Sequence, residues 1–210
     1  MKKKIVLFVL FILPIVAYLF FASGVNSFVK LPTVTPRIND IQVFTTTSGE
    51  KITLNNKITI LGFPGNEILY NKGNAFNLNQ KIYNKNHQFE DFQLVMIAPK
   101  GTEAQAAQLL SELSRFSDVS RWYFVFGTEQ EIQSYHKSLQ LAGGLGQDFG
   151  TPNVYIIDKE RNLRGRKGDE EYKEGYNTIS AADLHNEMSD DVKIILAEYR
   201  LALKKNKRKI

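Results

Sequence analysis

Four apolar runs, each too short for a core helix and each followed by a stretch of helical periodicity or a polar turn, constrain the fold of this chain most. They are Lys57-Ile58-Thr59-Ile60-Leu61-Gly62-Phe63, Phe92 to Ala98, Trp122 to Phe126 and Val154 to Ile157. Near-continuous runs of this length read as strands buried on both faces. Between them, Ala75, Phe76, Leu78, Asn79, Ile82 and Tyr83 repeat at helical spacing up to Asn84. Thr102 to Phe116 reads as a helix with Thr102 as N-cap and the stripe Ala106, Leu109, Leu110, Leu113. Glu129 to Leu141 reads as another, with Thr128 capping and Glu131 placed for a capping box. Strands alternating with such helices predict an α/β fold: a central sheet flanked by helices. Upstream, Ile41 to Thr46 and Lys51 to Leu54 flank Ser48-Gly49-Glu50 as an expected hairpin. Downstream, Thr178 to Lys205 reads as a long amphipathic helix, with Leu184, Met188, Val192, Ile195, Tyr199 and Leu203 on one face and Ser180 and Asp183 at its start.

Ile5 to Val29 contains no charged residue, and Ile5 to Ala22 is almost wholly apolar. About 20 such residues span roughly 30 Å of hydrocarbon as a helix. Ile5, Leu10, Leu13, Leu19 and Ala22 mark this expected membrane anchor. Lys2, Lys3 and Lys4 precede it, which orients the N-terminus to the cytoplasm and everything after Ser23 outside. The reading is a single pass through a bacterial-type plasma membrane, with the domain on the periplasmic or envelope side. A signal peptide has the same basic-then-apolar layout. The run exceeds the roughly 7–15 residues of a signal core and Phe20 to Gly24 is a weak cleavage site, so the retained anchor is preferred and cleavage stays open. The expected layout is residues 1–24 for lysines and anchor, 25–40 for a tether carrying Pro32 and Pro36, 41–178 for the domain, and 179–210 for the C-terminal helix and basic tail.

The net charge of +5 comes from the ends. Setting aside Lys2 to Lys4 and Lys204, Lys205, Lys207, Arg208 and Lys209 takes 27 basic residues to 19, against 22 acidic. A mildly acidic body without an interleaved basic and aromatic patch argues against nucleic acid. The chain has no cysteine, which removes disulfides, thiolate nucleophiles and soft metal ligation together. His87, His136 and His185 share no ligand spacing and read as surface residues. Gly143-Gly144-Leu145-Gly146 follows a helix instead of leading from a strand into one, so it reads as a helix stop and not a phosphate loop. Asp169-Glu170-Glu171 and the lysine-rich tail read as solvated charge runs.

The segment Thr151-Pro152-Asn153-Val154-Tyr155-Ile156-Ile157-Asp158-Lys159, the strand and loop from Ile58 to Tyr83, the strand ending at Pro99 and the segment Trp122 to Thr128 occur in an order that resembles the Sco/SenC proteins, over roughly Ile41 to Gly165. The resemblance implies a membrane-tethered, thioredoxin-like domain with a cis proline at Pro152, whose loop exposes backbone groups to an extended peptide. Family members carry a C-x-x-x-C pair after the first central strand and a histidine before the late strand, used for copper binding or thiol exchange. This chain departs at each position: Asn66 and Tyr70 stand near the cysteine spacing, and Gly146 to Pro152 holds no histidine. An amide and a phenol do not replace thiolates toward Cu(I). No metal or other cofactor is therefore expected. The expected role is a binding module, not an enzyme, that holds a polypeptide partner through Phe63, Pro64, Gly65, Asn66, Glu67, Tyr70, Thr151 and Pro152 and assists assembly of respiratory or envelope proteins. The alternatives are a cysteine-independent enzyme using Glu67 and Asp148, or a plain structural envelope protein; the oligomeric state is open.

Overall fold

The structure, a computed structural model, describes residues 2–23, 30–168 and 172–207, with α1 side chains described for Phe8 and for Leu10 to Leu19. After α1 (Lys2–Ser23) come β1 (Thr33–Thr35), β2 (Ile58–Pro64), α2 (Lys72–Leu78), a π turn (Asn79–Tyr83) and α3 (Asn84–Asn86). Then follow β3 (Phe92–Pro99), α4 (Glu103–Leu113), β4 (Trp122–Gly127), α5 (Glu129–Ser138), β5 (Gly150–Ile157) and β6 (Leu163–Arg164). The short strands β7 (Arg166–Lys167), β8 (Tyr172–Lys173) and β9 (Tyr176–Asn177) lead to α6 (Ala181–Asp183), a second π turn (Leu184–Met188) and α7 (Ser189–Lys207).

The main sheet runs β1-β6-β5-β2-β3-β4, with β9 also paired to β5. β2, β3 and β4 are parallel and joined by helical crossovers, whereas β5 returns antiparallel to β2. The expected strands therefore form where the apolar runs placed them, and the α/β architecture follows. Alternate residues go to opposite sides of the sheet, as a two-residue period requires. Ile60, Leu94, Met96, Phe124 and Ile156 join the core beneath α2, α4 and α7. Leu61, Val95, Ile97, Val125 and Tyr155 join the core beneath α5 and residues 38–54. Both faces are covered, which is why the strands read as unbroken apolar runs instead of alternating ones.

Several expectations are corrected. Residues 41–54 form no hairpin: the Thr46–Glu50 turn closes, with Thr46 N 2.9 Å from Glu50 O, but only Thr45 pairs in a sheet, as an isolated bridge to Phe126. Asp40 replaces the ladder, accepting from Ile41 N and Leu54 N at 2.9 Å and from Thr53 Oγ1 at 2.7 Å. The tether expected over 25–40 is part of the domain from Leu31 onward. Leu31 and Ile38 are buried and β1 pairs with β6; residues 25–29 lie outside the described residues. Thr102 takes the N-cap position of α4 as expected, but its side chain makes no capping bond, and its hydroxyl donates to Pro99 O at 2.7 Å. The Thr128–Glu131 capping box forms in full. The stop after α5 falls on Gln140, whose φ is +56°, and not on the glycines, of which Gly143, Gly144 and Gly146 keep ordinary φ. Among the described residues no helix is long and apolar enough to cross a membrane. The run Asp169–Glu171 and the side chains of the basic tail lie outside the described residues.

Candidate functional site

Where β2 ends, its pairing with β5 slips. Gly62 faces Val154, but the next two residues, Phe63 and Pro64, face Thr151 and Gly150, leaving Pro152 and Asn153 in a bulge. Bulges of this kind re-aim side chains at sheet ends. Asn66 N donates to Asp148 O at 3.0 Å and Gly146 N to Gly150 O at 2.8 Å, which draws the 146–150 turn against the Pro64–Asn66 loop. Glycine is required at the contact. A Cβ on Gly65, which has φ +73°, would lie 2.6 Å from Asp148 Oδ2, and one on Gly146 would lie 2.8 Å from Oδ1. The two loops that carry the candidate residues are thus joined directly.

The Thr151–Pro152 bond is trans, because no described peptide bond is cis, and this corrects the expectation of a cis proline. The chain passes through Pro152 within β5 instead of turning at it. Its carbonyl is also occupied: Thr178 donates to Pro152 O from its backbone N at 2.9 Å and from its hydroxyl at 2.7 Å. β9 pairs Asn177 with Asn153 just beyond. A strand-adding peptide would have to displace this strap, so the expected exposure of that backbone acceptor is corrected too.

What the loops surround instead is a cavity of about 360 Å³. Its floor is one row across the sheet, Val154, Gly62, Met96 and Phe124, aligned by strand register. Gly62 leaves the middle of that row low; a Cβ there would meet Met96 Sδ at 2.6 Å. Ile68, Leu78 and Leu109 form the apolar wall, and Trp122 lies among the lining residues with an Nε1–H that is buried and has no acceptor. The mouth is bordered by Asp148, Thr151, Pro152 and Ile179, the last 63% exposed. Asp148 is the one ionisable side chain in the lining, and it is held by a 3.2 Å hydrogen bond from Gly150 N.

Of the candidate residues, Phe63, Pro64, Thr151 and Pro152 line the cavity. Gly65 is buried behind it, and Asn66 is pinned by Gln105 Nε2 on its carbonyl at 3.0 Å. Glu67 is exposed and absent from the lining, so it and Asp148 do not share the cavity. Tyr70 is 88% exposed beside the loop. Trp122, Met96 and Ile179 were not anticipated. Met96 and Trp122 read as ordinary strand residues, and only sheet register shows that they share a cavity with Pro152.

His136 is buried, not on the surface as expected. Its ring packs edge-on to Phe63 with centroids 5.0 Å apart, and its Nε2 has no partner. Burial pulls its pKa below the ordinary 6.5, with the charge of Glu174 opposing. No group of His, Asp and Glu among the described residues could hold a metal ion. A second unanticipated feature is Arg164, buried on β6 between β1 and β5. It donates to Asp158 Oδ2 at 2.8 Å, to Glu198 at 3.1 Å and to Leu31 O at 2.9 Å.

No family model matches the chain, and no curated protein matches it in sequence. Solved structures do share its fold. BsSco, a member of the Sco family of cytochrome c oxidase assembly proteins, superposes with TM-score 0.55 at 12% identity, covering 79% of this chain and 95% of that one. A protein assigned as a disulfide isomerase from Bacteroides thetaiotaomicron gives TM-score 0.54 at 14% identity, covering 80% and 95%. One assigned as a thiol:disulfide interchange protein, DsbE from Chlorobium tepidum, gives 0.51 at 12% identity, covering 79% and 99%. The fold is thioredoxin-like, as Sco proteins and thiol-disulfide oxidoreductases have it, in a chain without cysteine.

Proposed function

We propose that this protein is a membrane-tethered, extracytoplasmic binding module of thioredoxin-like fold, without thiol-exchange or copper chemistry of its own. It holds a polypeptide partner at the mouth of the cavity between the Phe63–Asn66 and Asp148–Pro152 segments and assists assembly of respiratory or envelope proteins. The observation that carries this reading is the cavity itself: a preformed apolar pocket stands at the loops where related folds work, in a chain lacking the sulfur donors that thiol exchange and Cu(I) need. Ile179 in the lining is 63% exposed, and Tyr70, next in sequence to the lining residue Asn71, is 88% exposed. The tether is supported by the sequence, in which Ile5 to Ala22 is almost wholly apolar behind Lys2, Lys3 and Lys4, a run whose length and composition suit lipid. An enzyme acting through Glu67 and Asp148 is less well supported, since only Asp148 lines the cavity.

The test is site-specific photocrosslinking in membranes from Tyr70, with Val43 as an exposed reference on the segment covering the opposite sheet face. The expected result is one dominant polypeptide adduct from Tyr70, absent from Val43, and lost when Thr151→Trp closes the mouth. An adduct indifferent to the blocked mouth would overturn the cavity as the binding site. Stoichiometric Cu(I) retention by the purified chain would overturn the claim that it lacks copper chemistry.

A further inference from the structure

If a polypeptide is held at the mouth, as proposed above, the lining of the cavity says which segments fit. The cavity has a volume of about 360 Å³. That is too much for an alanine-sized group and within reach of one aromatic or long aliphatic side chain. The floor and wall offer Val154, Met96, Phe124, Ile68, Leu78 and Leu109, so the inserted group is apolar. Charge decides what may stand beside it. No lysine, arginine or histidine lines the cavity, so an acidic neighbour would lose water without gaining a cation. Asp148 sits at the mouth, and among the described residues no basic side chain forms a salt bridge with it. Gly65, Gly146 and Gly150 lie against its carboxylate, and Gly150 N donates to it at 3.2 Å.

Resting on that polypeptide-binding role, we infer that the cavity selects a segment that inserts one large apolar side chain and carries a lysine or arginine next to it, with Asp148 receiving the cation. Apolar burial supplies the affinity and Asp148 the choice of sequence, since a cation is attracted and an anion repelled at one position.

Trp122, the chain's one tryptophan, lines the cavity and reports its occupancy through its emission. The full chain in nanodiscs of zwitterionic lipid is titrated with hexaglycine-based peptides carrying phenylalanine followed by lysine, phenylalanine followed by glutamate, or alanine followed by lysine. The lysine peptide is expected to bind about tenfold more tightly than the glutamate one, attraction and repulsion each contributing severalfold. The preference should collapse in Asp148→Asn and shrink in wild type as sodium chloride is raised, and the alanine peptide should not bind. Equal binding of both phenylalanine peptides would overturn the inference and leave the polypeptide reading standing. If decylamine shifts Trp122 emission and no peptide does, the polypeptide reading falls and the inference with it. No shift with any probe would remove the cavity as a site.

Discussion

Gln140 and His136 show how single residues near the cavity carry a cost. Gln140 ends α5 at φ +56°, a conformation in which a β-carbon is unfavourable, and its side chain is exposed. Gln140→Gly removes that cost and is expected to stabilise the fold by about 0.5–1 kcal/mol, read as a higher denaturation midpoint. His136 is held neutral by burial, so its folded pKa lies below the unfolded 6.5. The unfolded chain then binds the extra proton between those two values. The stability that His136 contributes is complete above 6.5 and drains as pH falls from there to the folded pKa. Urea midpoints are expected to drop as pH falls below about 6.5, and His136→Phe should flatten that part of the profile. An unchanged slope in the variant would assign the titration elsewhere.

At the scale of elements, the segment 41–54 is held by side-chain bonds in place of a ladder. Burial pushes the Asp40 pKa up, but hydrogen bonds from Leu54, Thr53 and Ile41 outweigh it and leave the carboxyl below its ordinary value. Asp40→Ala strands two backbone amides and the Thr53 hydroxyl, and is expected to cost about 1–3 kcal/mol. Hydrogen exchange should rise first at Ile41 and Leu54, before the β-strands. Conversely α5 is self-contained, since Thr128 and Glu131 satisfy each other's end of the box, and it was legible for that reason. The four apolar runs were legible as well, because burial on both faces leaves no other composition for them. The failed hairpin had the right turn and the right alternation. Its pairing was lost to Asp40, whose partners lie up to fourteen residues away.

At the scale of the molecule, Arg164 joins three distant parts of the chain: the segment at Leu31, the sheet at Asp158 and α7 at Glu198. Arg164→Met leaves Asp158, 1% exposed, and Glu198 without their cation. The expected loss is about 3–5 kcal/mol, measured by equilibrium unfolding, with partial recovery when Glu198→Gln is added. A loss under about 1 kcal/mol would show that Arg164 is not the clamp joining Leu31 to α7.

The sequence by itself determined the four central strands, the helices between them, the thioredoxin-like order they follow, and the lack of any thiol, because periodicity, caps and composition are local properties. It also named Phe63, Pro64, Thr151 and Pro152, which do meet at one place. Only the tertiary structure decided that Pro152 is trans with its carbonyl bonded to Thr178, that Arg164 and His136 are buried, and that Gly62, Met96, Phe124 and Trp122 share a cavity with the proline loop. Those facts depend on strand register and on contacts between residues far apart in the chain, and a shift of one residue in register would send every side chain of a strand to the other face.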